Sequence, residues 1–312
     1  MKRELRIPGF DYRRLEVNEA SYLVAMGGEG PPVLLLHGYP QTHYCWHRVA
    51  PELVRSHAVI AIDLRGYGAS RAPRGGPLGE GYSKREMAAD AVSLLDALGI
   101  ERPAVVGHDR GGRVAYRMAL DHPERVERLA VLNVVPTVEQ FDRVTPANAI
   151  DYWPWFFLAQ PPPFPERLIA AAPQHYLRSV IAAWAAWPER IGTEAMAHYV
   201  EAFDEATIAA TCADYRASFH IDRPLDAADR TAGRRIGCPL LVVWGELDEG
   251  FVGADEPTAA RPAEGPLDVW RRWADRVEGR GIASGHFIAE EAPSDLLDAL
   301  APFLAARPGS AG

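Results

Sequence analysis

Gly107-His108-Asp109-Arg110-Gly111 joins two segments of different periodicity. Ahead of it, Ala104-Val105-Val106-Gly107 is a short apolar run without polar alternation, as expected of a buried strand. Behind it, Gly112 to Leu120 sets Val114, Ala115, Met118 and Ala119 at helical spacing and stops before His122-Pro123. A glycine on either side of one residue, between strand and helix, marks the sharp G-x-nucleophile-x-G turn that exposes the central side chain. That residue is Asp109. A carboxylate there suits displacement of a leaving group from saturated carbon, whereas a serine would attack carbonyls. A plain turn residue is the alternative, since Asp tolerates tight backbone geometry.

Similar buried runs flank this one. Val33-Leu34-Leu35-Leu36-His37, Val59 to Asp63, Leu129 to Leu132 and Pro239 to Trp244 all predict strands covered on both faces, as in a parallel sheet. A helix is predicted over Glu86 to Leu98 from apolar positions 88, 91, 92, 95 and 98. The alternation gives a doubly wound α/β fold, with ligands at the carboxyl ends of the strands. It breaks over 138–230, an aromatic-rich, helix-like stretch predicted to form a cap inserted into a core of 1–137 and 231–312. Pro161 to Pro165 predicts a stiff turn in the cap, and Gly250 to Gly265 a loop.

The 312 residues carry a net charge of −9, which argues against nucleic acid and anionic lipid as partners. An anionic substrate would therefore need a local cluster of cations. Cys45, Cys212 and Cys238 are sparse, without metal-ligand spacing, and fit free thiols in a reducing compartment. No metal or other cofactor is expected. The sequence shows no secretion signal and no apolar run of about 18 residues, so a cytoplasmic protein is expected.

Three further motifs fit a nucleophilic Asp109. His37-Gly38-Tyr39-Pro40 follows the first of these strands, where a loop can donate the Tyr39 N–H to an oxyanion, with Arg110 N–H as the second donor. Asp63 to Ser70 closes the next strand with glycines suited to a tight turn, a structural role. Ser284-Gly285-His286-Phe287 places a histidine last in chain order, as this fold requires of a catalytic base. Arg110 and Arg113 lie three apart at the start of the helix, where anions are favoured, and an arginine fork suits a carboxylate. A solvated, surface-paired Arg113 is the competing view.

This combination resembles the α/β-hydrolase superfamily, and within it the fluoroacetate and haloacetate dehalogenases. The similarity runs over His37 to His43 with Trp46, Asp63 to Ser70, Gly107 to Arg117, Trp155 to Pro161, Asp214-Tyr215-Arg216 and Ser284 to Phe287. The resemblance implies the α/β-hydrolase fold with a helical cap. It implies attack by Asp109 on the carbon bearing the halogen, hydrolysis of the resulting ester by water activated at His286, and substrate carboxylate binding by Arg110 and Arg113. It also implies a halide site built from Trp155 and Tyr215.

Two positions depart from that pattern. The family's third catalytic acid follows the strand after the nucleophile helix, where this chain has Asn133. An amide in place of the acid in a comparable triad costs roughly 10⁴-fold in turnover. The acid is therefore expected from Asp248, with Glu246 as runner-up and Asp255 behind it, and Asn133→Asp is expected to be harmless. In the halide site the family's His-Trp pair reads Pro154-Trp155, one donor fewer, so fluoride release should be weak. Trp153 could replace Trp155 if the cap register differs. Two rival functions remain. An epoxide hydrolase would use the same triad, with Tyr215 and one of Tyr152, Tyr176 or Tyr199 as acids. A non-catalytic ligand-binding α/β-hydrolase would be consistent with Asn133. The expected partners are a small anionic organic substrate and water, and the cap aromatics could serve a homodimer contact or pack internally.

Overall fold

The computed structural model describes residues 5–146, 148–248 and 264–306. Asp255 and most of the loop expected over 250–265 lie outside the described residues. Eight strands form one sheet: β1 (Asp11–Val17), β2 (Ala20–Gly27), β3 (Pro32–Leu36), β4 (Ala58–Ile62), β5 (Ala104–His108), β6 (Arg128–Leu132), β7 (Leu240–Gly245) and β8 (Val277–Ile282). Their order is β1-β2-β4-β3-β5-β6-β7-β8. The pairs β1–β2 and β2–β4 are antiparallel. All pairs from β4 through β8 are parallel. This is the sheet of the α/β-hydrolase fold.

The five apolar runs became β3 to β7, whose side chains are almost all buried. Three strands carried no such signal. β1 is a polar edge, and its hairpin turns at Asn18-Glu19, both at positive φ, without a glycine to mark it. β8 is the opposite edge, Val-Glu-Gly-Arg-Gly-Ile, with alternating exposure. The helix expected from Glu86 starts at Lys84, because Ser83 and Glu86 form a reciprocal capping box.

Apart from an isolated bridge between Ile236 and Ala274, every described residue between β6 and β7 is helical or loop. The helices there are Thr137–Asp142, Trp153–Leu158, Phe164–Ala171, Pro173–Trp184, Thr193–Ala202, Glu205–Ala217 and Arg223–Thr231, with short 3₁₀ and π turns between some of them. This inserted layer, the cap, is joined to the core by buried charge. Arg117 on the helix Arg110–Asp121 pairs with Asp226 at 2.5 Å and Asp229 at 2.6 Å, both from the cap. Among the described residues no helix is long and apolar enough to cross a membrane.

Candidate active site

Five adjacent strands deliver the residues of the site from their carboxyl ends. Tyr39 follows β3, Asp109 follows β5, Asn133 follows β6, Asp248 follows β7 and His286 follows β8. Asp109 takes φ 47° and ψ −111°, a left-handed conformation costly for a residue with a Cβ. The turn closes only because its neighbours are small. A Cβ on Gly111 would meet the carbonyl oxygens of Leu36 and His37 at 2.3 and 2.4 Å.

The two oxygens of Asp109 are differentiated. Oδ1 accepts a 2.8 Å hydrogen bond from the Tyr39 N–H. Oδ2 faces His286 Nε2 at 3.9 Å, and that nitrogen is buried with no hydrogen-bond partner. Arg110 N–H, the second expected donor, makes no hydrogen bond to this carboxylate among the described residues. On the far side of the imidazole, Nδ1 meets Asp248 Oδ2 at 2.8 Å. Burial alone would disfavour the imidazolium. The Asp248 carboxylate and its hydrogen bond outweigh that effect, with a contribution from Asp109, and raise the His286 pKa above its ordinary value. Glu246, the alternative acid, is exposed.

Asn133 has a different task. Its Nδ2 donates to Gly285 O at 3.2 Å and His286 O at 2.9 Å, while its Oδ1 accepts from Gly245 N at 2.7 Å. The amide thus ties the His286 loop to the end of β7, which neither carboxylate oxygen could do for two carbonyls. Asn133 also sits at φ 48°, a conformation Asn tolerates better than most residues. His108, beside Asp109, supports the same loop through a 2.8 Å contact from Nε2 to His286 O.

Arg113 is not a surface residue. It is 2% exposed, and its Nη atoms contact Val135 O, Thr137 Oγ1 and Gln140 Oε1. Its Nε has no partner, and no carboxylate lies within ion-pair distance among the described residues. Arg110 differs from the open fork expected. Its Nε and Nη2 are already bound to Asp214 of the cap at 3.0 and 2.6 Å, and Nη2 also reaches Ser218 Oγ. Only Nη1 is left without a partner.

The indole of Trp155 is covered by both guanidiniums, Arg113 Cζ at 4.4 Å and Arg110 Cζ at 5.0 Å from the ring centre. Tyr215 packs edge-on against it at 5.3 Å. The Tyr215 hydroxyl is buried without a partner, and burial with the nearby Asp109 charge keeps it protonated. Pro154 is buried beside Trp155 and offers no donor, whereas Trp153 lies 42% exposed on the outer face and does not replace Trp155.

Asp109, Arg113, Trp155, Asp248 and His286 share a small cavity, about 50 Å³ open to water-sized molecules. Sequence reasoning did not single out Gln140 or Asp151 from its wall, and gave Trp184 no role. Trp184 packs 5.1 Å from the His286 ring and accepts the His286 N–H through its carbonyl. A Cβ on Gly285 would strike this cap segment, 2.2 Å from Ala186 N. Nothing in spacing marks these cap residues, because the cap path decides which of them faces inward. Among the described residues no group of three or more His, Cys, Asp or Glu could hold a metal ion.

The chain belongs to the α/β-hydrolase fold family, whose description it matches over residues 31–259. It is 40% identical over 307 residues to a fluoroacetate dehalogenase from Burkholderia sp., covering 96% of each chain. It is 32% identical to a soluble epoxide hydrolase from Corynebacterium sp. strain C12, covering 89% of this chain and 91% of that one. A solved structure from Nostoc sp. PCC 7120, assigned to the α/β hydrolases, superposes with a TM-score of 0.90 at 42% identity, covering 97% of this chain and 100% of that one.

The bonds of Asn133 reverse one expectation drawn from sequence. Asn133→Asp should be damaging, because a carboxylate oxygen would then face the Gly285 and His286 carbonyls. A loss of about 2–3 kcal/mol in urea unfolding at pH 7 is expected. That deficit should shrink as pH falls, since the protonated acid can again donate. Unchanged stability at pH 7 would contradict this assignment.

Proposed function

We propose that this hydrolase removes halide from small 2-haloacids through an ester on Asp109. The observation that carries this reading is Arg113, a buried cation with no carboxylate partner among the described residues, lining the same cavity as Asp109 and His286. A cation so desolvated favours an anionic ligand. The small cavity favours an acid of few carbons.

In the proposed reaction the substrate carboxylate binds Arg113 and the free Nη1 of Arg110. Asp109 Oδ2 attacks C2, and halide leaves with the bonding electrons toward the Trp155 N–H and Tyr215 O–H. His286 then takes a proton from water, and the hydroxide adds to Cγ of Asp109. The negative charge that develops on Oδ1 is met by the Tyr39 N–H already in contact with it. Collapse expels the alkoxide, which takes the proton back from His286 to leave as the 2-hydroxyacid. The carboxylic acid left on Asp109 releases its proton to water, restoring the carboxylate. Asp248 stabilises the imidazolium formed on the way.

Fluoride is small and strongly hydrated, and needs more hydrogen bonding as it departs than chloride or bromide. Pro154 removes one donor, at a cost of about 1–3 kcal/mol, or roughly ten- to hundredfold in rate. Epoxide hydrolysis is the second reading. Tyr152 lines the cavity and Tyr215 has an unpartnered hydroxyl, so these two would serve as the ring-opening acids, whereas Tyr199 is engaged with Glu290. A relative named an epoxide hydrolase makes the same point.

The deciding experiment measures halide release from fluoro-, chloro- and bromoacetate, with an epoxide panel in parallel. Chloro- and bromoacetate should yield halide and glycolate, with fluoroacetate slower. Diol formation without halide release would establish the epoxide reading instead. His286→Gln should accumulate the ester, seen as added mass on Asp109 after incubation with bromoacetate. An unmodified protein would contradict covalent catalysis. The pH profile carries a sign. His286 must be neutral to accept a proton and its pKa is raised, so kcat should fall with acidification through a midpoint above the ordinary 6.5. Asp248→Asn should lower kcat and move that midpoint to lower pH. A midpoint unmoved by Asp248→Asn would remove Asp248 from the role.

A further inference from the structure

The proposed carboxylate site contains a charge problem that its own residues do not solve. Asp214 takes two nitrogens of Arg110, so one of the two cations proposed to hold the carboxylate is already neutralised. Behind Asp214 stands Lys84, 1% exposed, with Nζ in contact with Asp214 Oδ1 and 3.8 Å from Asp222 Oδ2. Its position is unfavourable for a cation. Lys84 is buried and is the first residue of the helix Lys84–Ala97, whose amino end repels positive charge. Its backbone N–H and the partly positive helix end are already served by Asp222 Oδ1 at 2.8 Å. Tyr67, also from the core, completes the group by donating to Asp214 Oδ2 at 2.8 Å.

The arrangement crosses the boundary between core and cap. Lys84, Tyr67 and Arg110 belong to the core; Asp214, Ser218 and Asp222 belong to the cap. Asp214 therefore faces two cations; with Asp222 counted, the two carboxylates balance Lys84 and Arg110, and the residual positive field comes from the amino end of the helix Lys84–Ala97. The guanidinium is fixed along its Nε–Nη2 edge, which leaves Nη1 as its unpartnered nitrogen.

We propose that Lys84 and Asp214 are positioning residues for an anionic ligand: Asp214 orients Arg110, and Lys84 restores the positive charge that Asp214 cancels. This rests on the reading that the cavity takes a carboxylate, and it makes carboxylate affinity depend on a lysine buried outside the cavity wall. Lys84 touches neither the substrate nor the reacting atoms.

The test is calorimetric titration of the full chain with glycolate and with glycolamide, its uncharged counterpart. The wild type should prefer glycolate. Lys84→Met and Lys84→Gln should weaken glycolate binding about tenfold and leave glycolamide binding within about threefold of wild type. Lys84→Arg should restore most of the preference. With bromoacetate the same variants should raise KM and leave kcat nearly unchanged. Lys84→Gln keeps a donor for Asp214, so it supplies the reading if Lys84→Met does not fold. Equal losses for glycolate and glycolamide would show a merely structural lysine and overturn the proposal, as would unchanged glycolate affinity or a wild type without preference. A wild type that prefers glycolate but releases no halide would refute the dehalogenase reading and leave the role of Lys84 standing.

Discussion

The left-handed turn at Asp109 is the constraint on which the site depends. A non-glycine residue held there costs about 1–3 kcal/mol, so neighbouring contacts must fix it. Asp109 N donates to Leu132 O at the end of β6, and Asp109 O accepts from Arg113 N at 3.1 Å. Its carboxylate accepts from the Tyr39 N–H after β3. One residue thereby ties three strand ends together and points its side chain at the cap. The sheet order makes this geometry available, because β3, β5 and β6 are neighbours whose carboxyl ends open on the same side. Asn133 repeats the device one strand further along, linking the loops after β7 and β8.

Burial of charge is the second organising feature. Asp109, Asp248, Arg110, Arg113, Asp214 and Lys84 are all nine-tenths or more buried, in a chain whose surplus charge is negative. Each buried charge needs a partner or a polar shell. Asp248 has His286, and Asp214 has two cations. Arg113 has neutral acceptors alone, which makes it the group with most to gain from an anion. The cap is thus more than a cover. It supplies Asp214, which pairs with Arg110, and its Trp155 presents an aromatic face to both arginines.

The centre of the fold was legible because buried parallel strands lack polar alternation, and β3 to β7 are of that kind. The edges were not, because β1 and β8 look like loops when half of each strand faces solvent. The placement of Tyr39, Asp109 and Asp248 after buried strands followed from strand boundaries, whereas His286, after the unmarked β8, was read from its motif and its place last in chain order. The state of Arg110 did not. Its partner Asp214 lies 104 residues away on a cap helix, and no local pattern announces an ion pair across that distance. The role of Asn133 was hidden for a related reason: its three hydrogen bonds all go to backbone atoms, whose positions carry no residue code. Seen only as an acid that is missing, it suggested a vacancy; its bonds show a brace that an acid could not replace.

The proposed halide site illustrates how one local preference constrains chemistry. Pro154 occupies the first turn of the helix Trp153–Leu158, a position where proline's fixed φ is favourable and its missing N–H costs little. Helix initiation thus accepts the residue readily, while the site loses a side-chain donor. The two donors that remain are strengthened from behind. Arg110 Cζ lies 4.2 Å from the Tyr215 ring centre, and both guanidiniums cover Trp155. A cation over an aromatic face draws electron density toward itself and leaves the ring's N–H or O–H a better donor. The same arginines would hold the substrate carboxylate and stabilise a departing anion. That field acts on every halide alike, but it does not replace a directed hydrogen bond, and the deficit falls hardest on fluoride.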